Sequence, residues 1–520
     1  MERRTRRQFL AEVGKGMVAA SVGVGAALEL DLLPRAMAAD GPDELTFGAL
    51  EPLTAFLQET PIEKLVPAII ARLRSGTPLR DLVAAAALSN ARTFGGEDYV
   101  GFHTLMAIAP AYRMALETPE ARRPLPVIKV LYRNTRRIHE HGGRASEVLH
   151  PVKPRELPAG QPAAEALRDA VRRKSAEDAE GLFASIAHGS AEDAFNGVLC
   201  AVEDGTDVHR VVLPYRAWDL LDIVGKEHAH TLLRQSVRYC LRAEQGTYGE
   251  RYQRSRTLLP ELFARHHLLD RPVGTRRPDD AWVQATSLAI LFAKPDDAAG
   301  LAAEALADGI APDAVGEAIS LATNQLVLRD HGRREREISD GKPLGSVHGD
   351  SIGVHACDSA NAWRSMAKSA NARNTLACVI LGAYQAALDR VDRGGEFDTW
   401  QPYPHSEELE KVKAKTPEDL LREAEGAIRA NDQALASAVV HRIGELGHPE
   451  RPVLDMFLRF ATSEDGALHA EKYFRTVSEE FAAARPAFRW RQLVALSRVT
   501  ASEFGRPAPG YAEACEILKV

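Results

Sequence analysis

Apolar residues recur along this chain at spacings of three and four, the signature of amphipathic helices. Leu65, Ile69, Ile70 and Leu73 share one helical face, and so do Val211, Tyr215, Trp218 and Leu221. Ala, Leu, Glu and Arg dominate these stretches, and all four are strong helix formers. Thr60-Pro61, Thr77-Pro78, Ala311-Pro312 and Thr416-Pro417 mark helix starts, because proline suits a first helical turn. Runs that alternate β-branched and polar residues are nearly absent. The Pro- and Gly-rich segments 150–162, 271–278 and 394–404 predict loops. The pattern predicts an all-α fold.

Sliding the chain against itself adds a second layer. Residues 98–143 align without a gap with 350–395, with ten identities where composition alone gives roughly three. A second block pairs Arg210, Val212, Leu213, His228, Ala229 and Arg234 with Arg451, Val453, Leu454, His469, Ala470 and Arg475. A shorter stretch, 78–90, matches 312–324. The blocks keep their order, which is what tandem duplication followed by loop insertion produces. The expected organisation is two homologous helical halves, 45–270 and 280–520, packed about a pseudo-two-fold axis.

The duplication also singles out chemistry. The motif D-x-x-G-x-H occurs as Asp98…Gly101…His103 and again as Asp350…Gly353…His355. Glycine there suits a tight turn or a close backbone approach. The second block repeats His228 as His469. Helix bundles build metal sites from side chains on facing helices, so His103, His228, His355 and His469 are the expected metal ligands. Asp98 and Asp350 are expected to orient imidazoles as outer partners. Imidazole suits Fe, Cu or Zn without choosing among them. Glu227, His230 and His348 are candidate extra groups. The competing reading keeps the same histidines as structural residues of a non-catalytic scaffold or binding protein.

Composition narrows this further. The formal net charge is −7, and no basic patch is interleaved with aromatics, so nucleic acid is not an expected partner. Five scattered cysteines form no C-x-x-C, which argues against a cysteine metal cage or a disulfide framework. H-E-x-x-H, G-x-S-x-G and Walker A patterns are absent. A transition-metal enzyme acting on a small-molecule substrate is therefore the expected class, most plausibly an oxidoreductase.

The N-terminus points to export. Thr5-Arg6-Arg7-Gln8-Phe9-Leu10 precedes a weakly apolar stretch, 18–33, and the small-residue segment Ala36-Met37-Ala38. This layout resembles the twin-arginine (Tat) export signal, removed after residue 38. The resemblance implies passage through the Tat translocase in a folded, cofactor-loaded state and a periplasmic or otherwise exported destination. The stretch is diluted by glycine and carries Glu29 and Asp31, so no stable membrane anchor is expected. The segments around His103 and His228 also look similar to helical modules found beside Rieske iron–sulfur domains, which implies an association with redox chemistry. The Cys-x-His pairs of a Rieske cluster are not present.

Overall fold

Helix after helix is closed by the capping groups that the sequence places before it. The Asp98 carboxylate accepts from the Gly101 N–H at the start of Tyr99–Glu117, and Ser351 accepts from Val354 at the start of Ile352–Ser369. Thr416 caps Pro417–Arg429, with proline at the first helical position. Such caps satisfy backbone donors that have no partner inside the helix. The computed structural model describes residues 44–246 and 253–520. Among the described residues there are 23 α-helices, linked by turns, 3₁₀ segments and a few isolated bridges. The all-α class is thus observed. The Tat-like signal over 1–38 lies outside the described residues.

Both copies of the longest repeated block form a helical hairpin. Tyr99–Glu117 packs on Leu125–His141, and Ile352–Ser369 packs on Ala372–Arg393. The repeated glycines serve close approach, not a turn. A Cβ on Gly101 would stand 2.5 Å from the Phe94 ring, and one on Gly353 would stand 2.9 Å from the Leu326 backbone. Both lie inside a helix near its start. The two hairpins can therefore press against their preceding helices.

The second repeated block gives the same local string in both halves: a helix, a 3₁₀ turn, then a helix. In the first half these are Val208–Val224, Lys226–His228 and Ala229–Gln245; in the second they are Arg451–Ser463, Gly466–Leu468 and His469–Ala483. The packing does not follow that alignment. The helix that touches both hairpins is the first of its pair in one half, Val208–Val224, but the second in the other, His469–Ala483. Arg451–Ser463 buries Met456, Phe457 and Phe460 in one apolar cluster with Leu420, Ile428 and Leu493 and with Tyr473 of the His469 helix.

The expected halves are packed within a single unit, Phe47–Val520. Met114 of the first hairpin enters the core built by Val354, Phe457 and Tyr473. Lys129, on Leu125–His141, reaches Glu471 on the His469 helix at 2.6 Å, with both side chains almost wholly buried. The same ammonium donates to the Ala461 carbonyl at 2.7 Å. Removing one member of a buried ion pair strands the other's charge. Lys129→Met should therefore lower stability by about 3–5 kcal/mol, whereas Lys129→Met combined with Glu471→Leu should recover most of it. Denaturant unfolding of the three chains checks both expectations.

Candidate metal centre

Four histidines converge where the two hairpins meet the helices Val208–Val224 and His469–Ala483. Each sits close to a helix start: His209 is the second residue of its helix, His355 the fourth, His103 the fifth, and His469 the first. The Nε2 atoms of His103 and His209 are 3.2 Å apart, and those of His355 and His469 are also 3.2 Å apart. The two pairs then contact each other. Ring centroids are 5.3 Å apart for His103 and His469 and 5.9 Å for His209 and His355.

Proton positions follow from the partners. His103 Nδ1 lies 2.7 Å from the Tyr99 carbonyl oxygen. A carbonyl only accepts, so Nδ1 carries the hydrogen and Nε2 presents a lone pair toward His209. On the other ring, the Asp207 carboxylate lies 3.8 Å from His209 Nδ1, beyond hydrogen-bond reach, and a His209 Nε2–H can donate to the bare His103 Nε2. Burial pushes the Asp207 carboxyl up, but hydrogen bonding and charge at His209, the Tyr239 hydroxyl and the Arg210 backbone outweigh it and hold it at about 2. Asp207 is therefore ionised at neutral pH.

Protonation of the other rings is suppressed. Burial first, and then the nearby Lys472 ammonium, lower His355 to about 3 and take His103 and His469 well below 6.5. The positive ends of the helix dipoles act in the same direction. Lys472 lies three residues beyond His469 on the same helix; burial lowers it to about 8, against the pull of Asp358 and Glu471. Asp358 occupies the matching place, three residues beyond His355, and accepts from Thr476 at 2.7 Å. Farther along the same seam, Asn361 and Arg364 donate to Glu480 at 3.0 and 2.7 Å. This polar seam fixes the rotation of the two helices, and so the aim of the His355–His469 pair.

The structure brings together His103, His355 and His469 and places His228 elsewhere. His228 ends the 3₁₀ turn Lys226–His228, packs edge-on against Phe47 at 6.0 Å, and is lowered by burial. His209 occupies the place expected for it. The roles expected of Asp98 and Asp350 also change. Asp98 receives Arg137 at 2.6 and 2.9 Å, and Asp350 receives Arg333 and Lys342, each at 2.5 Å, so their hydrogen bonds go to cations and not to imidazoles. Beside His209 the carboxylate is Asp207, 3.8 Å from Nδ1. His230 stacks on Phe183 at 5.6 Å, while Glu227 folds back beside Gly225. His348 is buried and lowered to about 4 by that burial.

A signal for His209 was present but faint. It forms Asp207-Val208-His209, a capping carboxylate followed by histidine at a helix start. A shift of 260 residues would pair it with His469, but that shift aligns almost nothing else in the two helices. Among the described residues, no group of three or more His, Cys, Asp or Glu side chains is placed so that it could hold a metal ion; the imidazoles stand as two pairs in contact. No family model, curated protein or solved structure matches the chain.

The suppressed protonation has a thermodynamic consequence. In the unfolded chain these imidazoles take up protons near 6.5, whereas in the fold His355 does so only near 3. Between those values the unfolded state binds more protons, so stability is intact above pH 6.5 and falls as the pH drops toward 3. The slope is at most about 1.4 kcal/mol per pH unit for each such ring. Denaturation midpoints in metal-free buffer should decline over this range, and His355→Gln should flatten the decline.

Proposed function

We propose that His103, His209, His355 and His469 hold one transition-metal ion, and that the protein is a metal-dependent oxidoreductase acting on a small-molecule substrate. The observation that carries this reading is the His103–His209 pair. Two Nε2 atoms 3.2 Å apart stand at a spacing that suits two ligands of one cation, as it also suits an N–H···N hydrogen bond. At nitrogen–metal distances of about 2.0–2.1 Å, neighbouring ligand nitrogens lie roughly 3 Å apart, which matches both pairs. The Nδ1–H bond to the Tyr99 carbonyl is the outer contact that orients a ligating imidazole. Neutral rings are also the form a metal requires. Fe, Cu and Zn all accept imidazole, and only Fe and Cu among them supply redox chemistry.

The Tat-like leader supports the same reading, since that route carries folded proteins with their cofactors in place. The proposed protein is loaded before export and works outside the cytoplasm. No helix among the described residues is long and apolar enough to cross a membrane.

A second reading has one observation in its favour. Nitrogens 3.2 Å apart also suit an N–H···N hydrogen bond, and His355–His469 could tie a non-catalytic scaffold together in that way. Metal content of protein purified from its native compartment separates the two readings. One Fe or Cu per chain is expected, with His209→Ala weakening its binding at least ~100-fold and His228→Ala leaving it unchanged. Metal-free protein whose stability is indifferent to His209→Ala and His355→Ala would leave only the scaffold. Replacing Arg6 and Arg7 together by lysine should retain the chain in the cytoplasm, as cell fractionation would reveal.

A further inference from the structure

The helix Tyr99–Glu117 carries His103 near its start and borders a cavity at its far end. At 1.5 Å per residue the two lie about 20 Å apart along the axis. The cavity measures about 700 Å³ and sits where the first hairpin meets the helices Arg451–Ser463 and Tyr511–Leu518. The turn 118–124 of the hairpin forms one wall, and a face of Arg451–Ser463 forms the other. Leu125 and Leu458, both buried, give it an apolar base, while Leu116, 53 % exposed, stands at its edge.

Much of the charge along these walls is already matched. Arg451 donates to Asp455 at 2.8 Å and to Glu117 at 3.0 Å, and Arg459 donates to Glu425 at 3.2 Å. Arg122 and Arg123 also line the cavity and are exposed. Neither takes part in an ion pair or side-chain hydrogen bond among the described residues. Glu120 is the lining carboxylate left without a cation among them. Two guanidiniums against one carboxylate leave a single positive charge, which suits a monoanion.

Two helices, Leu125–His141 and Arg451–Ser463, begin on the cavity, and their first residues line it. Neither start has a side-chain cap or an acidic residue in its first turn, so their positive ends reinforce the same preference. The volume is on the scale of small-molecule sites. Of the large apolar side chains exposed among the described residues, only Leu116 lines it. A docked protein needs a broader apolar face than that. A bare inorganic ion would leave the leucines uncovered, and a purely apolar molecule would leave Arg122 and Arg123 unmatched.

We infer that this cavity binds a small amphipathic monoanion, an apolar body ending in a carboxylate. Arg122 and Arg123 take the head, since the planar guanidinium fork meets a carboxylate through two parallel N–H bonds. Leu116, Leu125 and Leu458 cover the body. The site shares no residue with the imidazole cluster, so it stands or falls apart from the metal reading.

Equilibrium dialysis of the full chain against radiolabelled octanoate tests this, with 1-octanol and acetate as probes of body and head alone. One octanoate per chain is expected, held at least about tenfold more tightly than either control. Replacing both arginines, Arg122→Ala with Arg123→Ala, should weaken octanoate by about tenfold or more and leave octanol unchanged. Leu116→Asp should weaken octanoate as well. All three side chains are exposed, so the variants should keep the thermal midpoint of the parent, as circular dichroism would verify. No octanoate bound at millimolar concentration, or binding indifferent to the double arginine replacement, would overturn the site. Octanol held as tightly as octanoate would overturn the anionic head, and acetate held as tightly would overturn the apolar body.

Discussion

Two imidazole nitrogens face each other at 3.2 Å, with the His103 hydrogen committed to the far side of its ring, an arrangement that a His209 N–H, an added proton or a bound cation would satisfy. Much of the surrounding structure disfavours the added proton. The Tyr99 carbonyl fixes the His103 tautomer. Burial and the Lys472 ammonium keep the remaining rings neutral. A proton shared between two rings is the cheapest relief in water, and the desolvated site withholds it.

Convergence of the rings depends on backbone detail some distance from them. Gly101 and Gly353 let the two hairpins approach Phe94 and the Leu326 backbone, where any Cβ would collide. The buried Lys129–Glu471 pair holds the first hairpin against the His469 helix. The ladder Asp358–Thr476, Asn361–Glu480 and Arg364–Glu480 sets the rotation of the His355 helix. Such contacts are polar and buried, so their stabilisation is modest when complete and their loss expensive. They contribute alignment more than net stability, and a side-chain cluster built from long-separated segments needs alignment most.

A centre made only of neutral ligands has a further chemical character. Carboxylate ligands would offset the metal's charge; imidazoles do not. Asp98 and Asp350 are neutralised by Arg137, Arg333 and Lys342, which leaves Asp207 as the carboxylate beside the rings. Under the proposed reading, an ion held by such rings would stay electrophilic and receptive to an external donor, a property shared by metal-dependent oxidation and metal-dependent hydrolysis. The rings of Tyr99 and Phe102 pack against those of His103 and His209.

The all-α class was legible in the sequence because helical periodicity, capping residues and helix-forming composition are local and agree with one another. So were the two D-x-x-G-x-H hairpins, and with them His103 and His355, because a capping carboxylate and a glycine under steric constraint leave a fixed spacing. His469 was reached through the second repeat. His228 was reached the same way and stands away from the centre, because an alignment reports common descent and not which helix of a pair packs inward. That choice was made by the tertiary structure. In the second half the following helix, His469–Ala483, meets both hairpins, whereas in the first half the leading helix, Val208–Val224, does, carrying His209 with it. The sequence by itself determined where helices begin and which stretches carry repeated residues, since both are written in neighbouring residues. Which four imidazoles face one another was settled only by long-range apolar packing, whose partners lie hundreds of residues apart and leave no local period to read.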